Sequence, residues 1–277
     1  MSRTRAFDPM SAASRADGAS PSTAAGPVQR ATVVSSYRIH SLEAGAEGEA
    51  LVLLHGLSGS GRWWARNIAG LAHAHRVLIP DLVGYGRTPL VGRVPRMDEM
   101  ADLLAAWLDA LAIDEVDIAG HSMGGQVAIH FAARHPDRLR RLVLVDAAGI
   151  PRPTTPRNVA RFAMEIAPLW RWGDPRFLPV IVGDAWNAGP LTLMRSIGHI
   201  LRDDVRPLLS GIRAPTLVVW GERDNWVPFE HALVFRRSIP GSSLAVIRGT
   251  AHMPMVDRPD AFNRLVLRFL DGERVGS

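Results

Sequence analysis

From residue 31 onward, short apolar runs rich in β-branched residues alternate with longer stretches in which apolar positions recur at helical spacing. The short runs predict strands at Ala31–Ser35, Tyr37–Leu42, Ala50–His55, Arg76–Pro80, Val116–Ala119, Leu139–Asp146, Thr216–Trp220 and Ser243–Ile247. Most are apolar throughout rather than alternating, as expected for a parallel sheet covered on both faces by helices. Met100, Leu103, Leu104, Trp107, Leu108 and Leu111 form one apolar helix face. Pro259 followed by Phe262, Leu265, Val266, Phe269 and Leu270 predicts a closing C-terminal helix. The rhythm breaks over residues 150–213, where prolines and scattered Trp and Phe accompany helix-like pieces without a convincing strand. The pattern therefore predicts an α/β fold with a mostly parallel eight-stranded sheet and a helical cap inserted after the sixth strand. Residues 1–30 are expected to form a disordered tail, 31–149 and 214–277 the two parts of the core, and 150–213 the cap.

Composition narrows the chemistry. The 277 residues suit one medium-sized domain, and 47% hydrophobic against 21% charged residues is ordinary for a globular chain. Without cysteine there is no disulfide framework, thiolate metal site or thiol nucleophile. Without lysine there is no Schiff-base chemistry and no Walker-type phosphate loop. All basic residues other than histidine are arginine, and the formal net charge is only +5, so nucleic acid is not an expected partner. The tail lacks the apolar core of a secretory signal, and no long apolar run predicts a membrane span, so a cytoplasmic location without stable membrane insertion is expected.

Four motifs carry candidate chemistry. Gly120-His121-Ser122-Met123-Gly124 lies between a predicted strand and a predicted helix, where a sharp turn would project the serine hydroxyl and the helix start would offer free amides. His55-Gly56-Leu57-Ser58-Gly59-Ser60-Gly61 follows another strand and supplies a second candidate donor for an oxyanion, Leu57 N–H, beside Met123 N–H. His55 itself reads as a residue that fixes a tight turn. Asp224 and His252 each follow a predicted strand, and in a parallel sheet such loops gather on one edge. A serine hydroxyl needs a histidine base and a carboxylate to orient it, so Ser122, His252 and Asp224 are the candidate triad. Asp146, also at a strand end, is the competing acid, with capping of the chain as it enters the cap as its other reading.

These residues resemble the α/β-hydrolase superfamily over about residues 31–277, in the branch with a cap after the sixth strand. Pro80-Asp81-Leu82-Val83-Gly84-Tyr85-Gly86-Arg87 is similar to the family's loop after the fourth strand. The resemblance implies Ser122 as nucleophile, Asp224 and His252 as triad partners, Leu57 and Met123 as oxyanion donors, and no cofactor or metal. It disfavours dehalogenase and epoxide hydrolase activity, whose nucleophile is aspartate. The expected activity is hydrolysis of a carboxylic ester with an apolar acyl part, thioester and lactone included, through an acyl-enzyme. Perhydrolysis and carbon–carbon bond hydrolysis on the same triad are the alternatives, although His121 stands where carbon–carbon bond hydrolases often have Asn. A non-catalytic binding protein of this fold is the alternative from another class.

Residues 150–213 hold nine arginines against five acids, so the chain's positive excess is concentrated there. Phe162, Trp170, Trp172, Phe177 and Trp186 in the same stretch could line an apolar pocket above Ser122 with arginines at its mouth. That arrangement would favour an anionic substrate. A solvated helical face is the competing reading.

Overall fold

The computed structural model describes residues 26–45, 47–151 and 174–276. Eight strands form one sheet: β1 (Val28–Val34), β2 (Tyr37–Ala44), β3 (Ala50–Leu54), β4 (Arg76–Pro80), β5 (Val116–His121), β6 (Leu139–Val145), β7 (Thr216–Gly221) and β8 (Ser243–Ile247). Their order across the sheet is β1-β2-β4-β3-β5-β6-β7-β8. β2 pairs antiparallel with β1 and β4, and the remaining pairs are parallel. The bounds of β4 and β8 coincide with the sequence expectation. β1 starts three residues earlier, at Val28, which pairs with Glu43. Its first five residues are mostly exposed, so no apolar signal marks this start.

Burial explains the layers. Every residue of β3, β5 and β7 is buried, as a central strand covered on both faces requires. The α-helices of the described residues are α1 (Ile68–Leu71), α2 (Met97–Ala110), α3 (Met123–Arg134), α4 (Leu178–Ala188), α5 (Pro190–Arg202), α6 (Arg206–Leu209), α7 (Phe229–Ser238), α8 (Pro254–Asp257) and α9 (Pro259–Leu270). α2 buries Met100, Leu104, Trp107 and Leu108, and α9 buries Phe262, Val266, Phe269 and Leu270, the faces that the periodicity marks. Between β6 and β7 the elements of the described residues are all helical, from α4 to α6.

The insertion is held to the body by a charge. Asp184 of α4 is only 2% exposed and accepts hydrogen bonds from Ser60 Oγ (2.8 Å), Trp63 Nε1 (3.1 Å) and Arg62 (3.3 Å). Three donors offset part of the desolvation of that carboxylate, whose pKa burial still raises, and join α4 to the loop after β3.

Two expectations about the insertion change. Trp186 is 86% exposed and does not line the cavity beside Ser122. It sits on the outer face of α4, four residues from exposed Val182 and two from buried Asp184, which takes the inner face. Phe177 is buried, with the Arg66 guanidinium 5.8 Å from its ring centroid, and it too is absent from that cavity. Phe162, Trp170 and Trp172 lie outside the described residues.

Candidate active site

Ser122 occupies the one-residue turn between β5 and α3. Its dihedrals are φ 51° and ψ −114°, a conformation that an L-residue holds only when its surroundings enforce it. The enforcement is visible. Ser122 N–H donates to Val145 O at 2.9 Å, and Ser122 O accepts from Gln126 and Ala148, both at 3.1 Å. A Cβ at Gly124 would lie 2.6 Å from the carbonyl oxygens of Leu54 and His55, so only glycine lets α3 approach the end of β3 this closely.

The loop after β3 is braced by His55. Its Nδ1–H donates to Gly56 O (2.8 Å), while Nε2 accepts from Leu82 N–H (3.0 Å), which fixes the neutral tautomer. Complete burial lowers its pKa and keeps it uncharged, with Asp81 opposing. His55 is thus the turn-fixing residue that the sequence suggests. A Cβ on Gly56 would meet His121 Nδ1 at 2.8 Å and Ser122 Cβ at 3.2 Å, so this loop lies directly against the serine turn.

Asp224 and His252 meet from separate loops. His252 Nδ1–H donates to Asp224 Oδ2 at 2.9 Å, and both side chains are almost wholly buried. Asp224 Oδ1 accepts from Trp226 N (2.7 Å) and Val227 N (3.2 Å). Burial opposes ionisation of Asp224, but the charge and hydrogen bond of His252 outweigh it and hold the carboxyl below its usual range. Asp257 Oδ2 accepts from Ala251 N (2.9 Å) and steadies the histidine loop. Gly221 permits the meeting, because a Cβ there would fall 1.9 Å from Ala251 O.

Ser122, His252 and Leu57 line one cavity of about 50 Å3 together with Ala148, Gly149, Ile150, Ile200, Leu201, Trp226, Val227 and His231. Among the described residues no hydrogen bond joins Ser122 Oγ to His252; in unliganded sites of this kind that link often forms only with substrate in place. Met123 is buried at the start of α3, immediately behind Ser122. No arginine lines this cavity among the described residues, so the arginine-ringed mouth has no support there. Arg152, Arg157, Arg161 and Arg171 lie outside those residues.

Asp146 is not bonded to His252. Its Oδ1 accepts from Gly221 N at 2.9 Å, tying the end of β6 to the end of β7 rather than capping the entry to the insertion. Oxygens of Asp146 and Asp224 and a nitrogen of His252 lie within 4.8 Å of one another, a grouping that could hold a cation. The ring nitrogen is already committed to Asp224, so an acid pair describes the geometry better.

Three neighbours were not legible as functional. The Trp226 ring stacks on His252 at 5.1 Å and 14°. His231 reaches the cavity from the first turn of α7. His121 is wholly buried and turned away from substrate space: its Nε2–H donates to His252 O at 2.7 Å, and burial followed by the nearby His252 charge drives its pKa well down. Trp226, two residues after Asp224, and His121, beside Ser122, lie within the motifs of those residues, whereas His231 lies outside them.

Known proteins resemble the chain in sequence and in shape. The profile of the alpha/beta hydrolase family matches residues 51–265. A 2-hydroxy-6-oxo-6-phenylhexa-2,4-dienoate hydrolase of Burkholderia cepacia is 32% identical over 86% of this chain and 92% of its own length. A thermophilic esterase from Thermogutta terrifontis superposes with a TM-score of 0.77 at 27% identity, covering 90% of this chain and 99% of that one. The enol-lactonase from Burkholderia xenovorans LB400 gives 0.76 at 26% identity, covering 87% and 100%. No described helix is long and apolar enough to cross a membrane. Sheet order, serine turn and sequence profile agree that the chain belongs to the alpha/beta hydrolase family.

Proposed function

We propose that the chain is a serine hydrolase that cleaves the carbon–carbon bond beside a ketone in a conjugated 2-hydroxy-6-oxo acid, with Ser122, His252 and Asp224 as its triad. The observation that carries the substrate class is the 32% identity, across 86% of the chain, to a hydrolase of that type. This puts ahead the activity that the sequence alone placed behind ester hydrolysis.

The residues supply the steps. His252 takes the Ser122 proton as the serine oxygen attacks the ketone carbon, and Asp224 keeps the ring oriented. The Leu57 and Met123 amides stabilise the oxyanion. The step requires the 2,6-dioxo tautomer, formed when the proton of the 2-hydroxyl moves to the carbon beside the ketone; the carbon–carbon bond then breaks, its electron pair delocalises through the remaining double bond onto the 2-oxo group, and His252 returns the proton to that fragment. Water, deprotonated by His252, releases the second acid from Ser122.

Ester or lactone hydrolysis is the second reading, favoured by the apolar lining of the cavity, which offers no arginine to a substrate carboxylate among the described residues. His121 before the nucleophile points the same way. The two readings separate in one assay with 2-hydroxy-6-oxo-6-phenylhexa-2,4-dienoate, p-nitrophenyl butyrate and an enol-lactone, run on wild type and Ser122→Ala. Carbon–carbon bond hydrolysis predicts that kcat/KM for the dienoate exceeds the others at least about tenfold, a gap of one transition-state increment of ~1.4 kcal/mol. The opposite ranking assigns the chain to esters.

A further inference from the structure

The cluster behind the candidate triad contains a second buried carboxyl that the mechanism above leaves idle. Asp146 is 0% exposed and has φ 43°, in the left-handed region. Its backbone N–H donates to Val219 O (3.0 Å) and its Oδ1 accepts from Gly221 N (2.9 Å), so both ends of the residue are fixed to β7. Oδ2 is buried and has no hydrogen-bond partner among the described residues, in the group where oxygens of Asp146 and Asp224 lie within 4.8 Å of each other.

Two carboxylates this close in a dry site do not both stay ionised. The competition for the single negative charge is uneven. Asp224 accepts from His252 Nδ1 and from two backbone amides, whereas Asp146 accepts from one amide. We propose that Asp146 is a positioning residue, a neutral carboxylic acid that turns its Oδ2 proton to Asp224 and thereby holds the orientation and basicity of the carboxylate that orients His252. This rests on the triad reading above.

The electrostatics point the same way. Burial first, and the Asp224 charge second, push Asp146 well above the carboxylate range. The other titratable groups around the pair are His252, with His121 behind it and His231 across the cavity, and Asp257, whose charge adds to the upward push.

The test is the acid limb of the kcat/KM profile, where the general base must be free of its proton. Asp146→Asn is isosteric: its carbonyl can still accept from Gly221 N, and its amide can still donate to Asp224. If Asp146 is neutral, D146N removes no charge, so the acid limb stays within about 0.3 pH unit and kcat within about threefold. If Asp146 is ionised, the same change removes a negative charge near the base, and the limb falls by about one pH unit or more, which overturns the proposal. Asp146→Ala deletes the donor, leaves Asp224 more basic, and is expected to raise the limb by about half a unit and lower kcat about tenfold with KM little changed. A D146A enzyme with an unmoved acid limb would reduce Asp146 to a scaffold and also overturn the proposal.

A second readout does not depend on turnover. The carbonyl stretch of a protonated carboxylic acid, present in the infrared spectrum at neutral pH and lost in D146N, reports the proton directly in the inactive Ser122→Ala background. Full activity in Ser122→Ala would sink the triad reading while leaving that band interpretable. Absence of the band would sink the Asp146 proposal alone.

Discussion

β5 carries a buried aspartate near its start and leads into the candidate nucleophile at its end, and the two ends of the sheet treat buried charge in opposite ways. At the C-terminal edge, Asp224 accepts from His252 and from two backbone amides. At the other edge, the Asp117 side chain is equally buried, but Arg140 and Arg141 approach its oxygens only to 3.7 Å, and neither oxygen has a hydrogen-bond partner among the described residues. Both arginines are shared with Glu49. The outcomes diverge accordingly. Burial pushes Asp117 up to about 6 against the pull of the arginines, while Asp224 is held below its usual range. Burial alone therefore does not keep a carboxylate ionised; aligned donors do, and strand C-termini supply them because successive loops converge there.

The sharpest break would come at the C-terminal edge. Ser122→Ala should lower kcat by about 10^5-fold, in line with other serine triads, with a fluorophosphonate labelling Ser122 alone in the wild type. Labelling of a different serine removes the assignment. Asp224→Asn should cost about 10^4-fold by presenting the wrong hydrogen-bonding group to His252, whereas Asp117→Asn should leave kcat within about twofold. Similar losses from both would erase the contrast between the two edges.

Asp117 should instead announce itself in stability. Its folded pKa of about 6 lies above the ordinary carboxylate value, so the folded state binds the proton more tightly than the unfolded chain does. Stability is therefore lost as pH rises from about 4 to 6 and stays lost above that, by on the order of 2 kcal/mol. Asp117→Asn should remove this slope and raise Tm at pH 7, which urea or thermal unfolding at several pH values will show. An unchanged slope would mean that the arginines neutralise Asp117 after all. Smallest of all, Arg141→Gln should change stability at pH 7 by less than about 1 kcal/mol, since that arginine is a quarter exposed and only 3.7 Å from Asp117 at best.

The strands, the flanking helices and the three candidate catalytic residues were legible in the sequence because local rules govern them. An apolar run buried on both faces reads as a strand, and glycines two residues either side of Ser122 announce a turn that no larger residue permits. Asp224 was favoured over Asp146 by its turn, although both follow a strand, and the 2.9 Å hydrogen bond it accepts from His252, 28 positions away, supports that choice. The start of β1 was missed because its residues are exposed and carry no burial pattern.

What the sequence determined by itself is the set of elements and the chemical types available: a serine, a histidine and acids at strand ends, without a thiol or a lysine amine. Which groups touch was left to the tertiary structure. Trp226 stacked on His252, Trp186 turned outward, and Asp117 stranded between two distant guanidiniums all depend on how separate segments pack. Periodicity specifies which face of an element is buried, and it carries no information about the partner that face will meet.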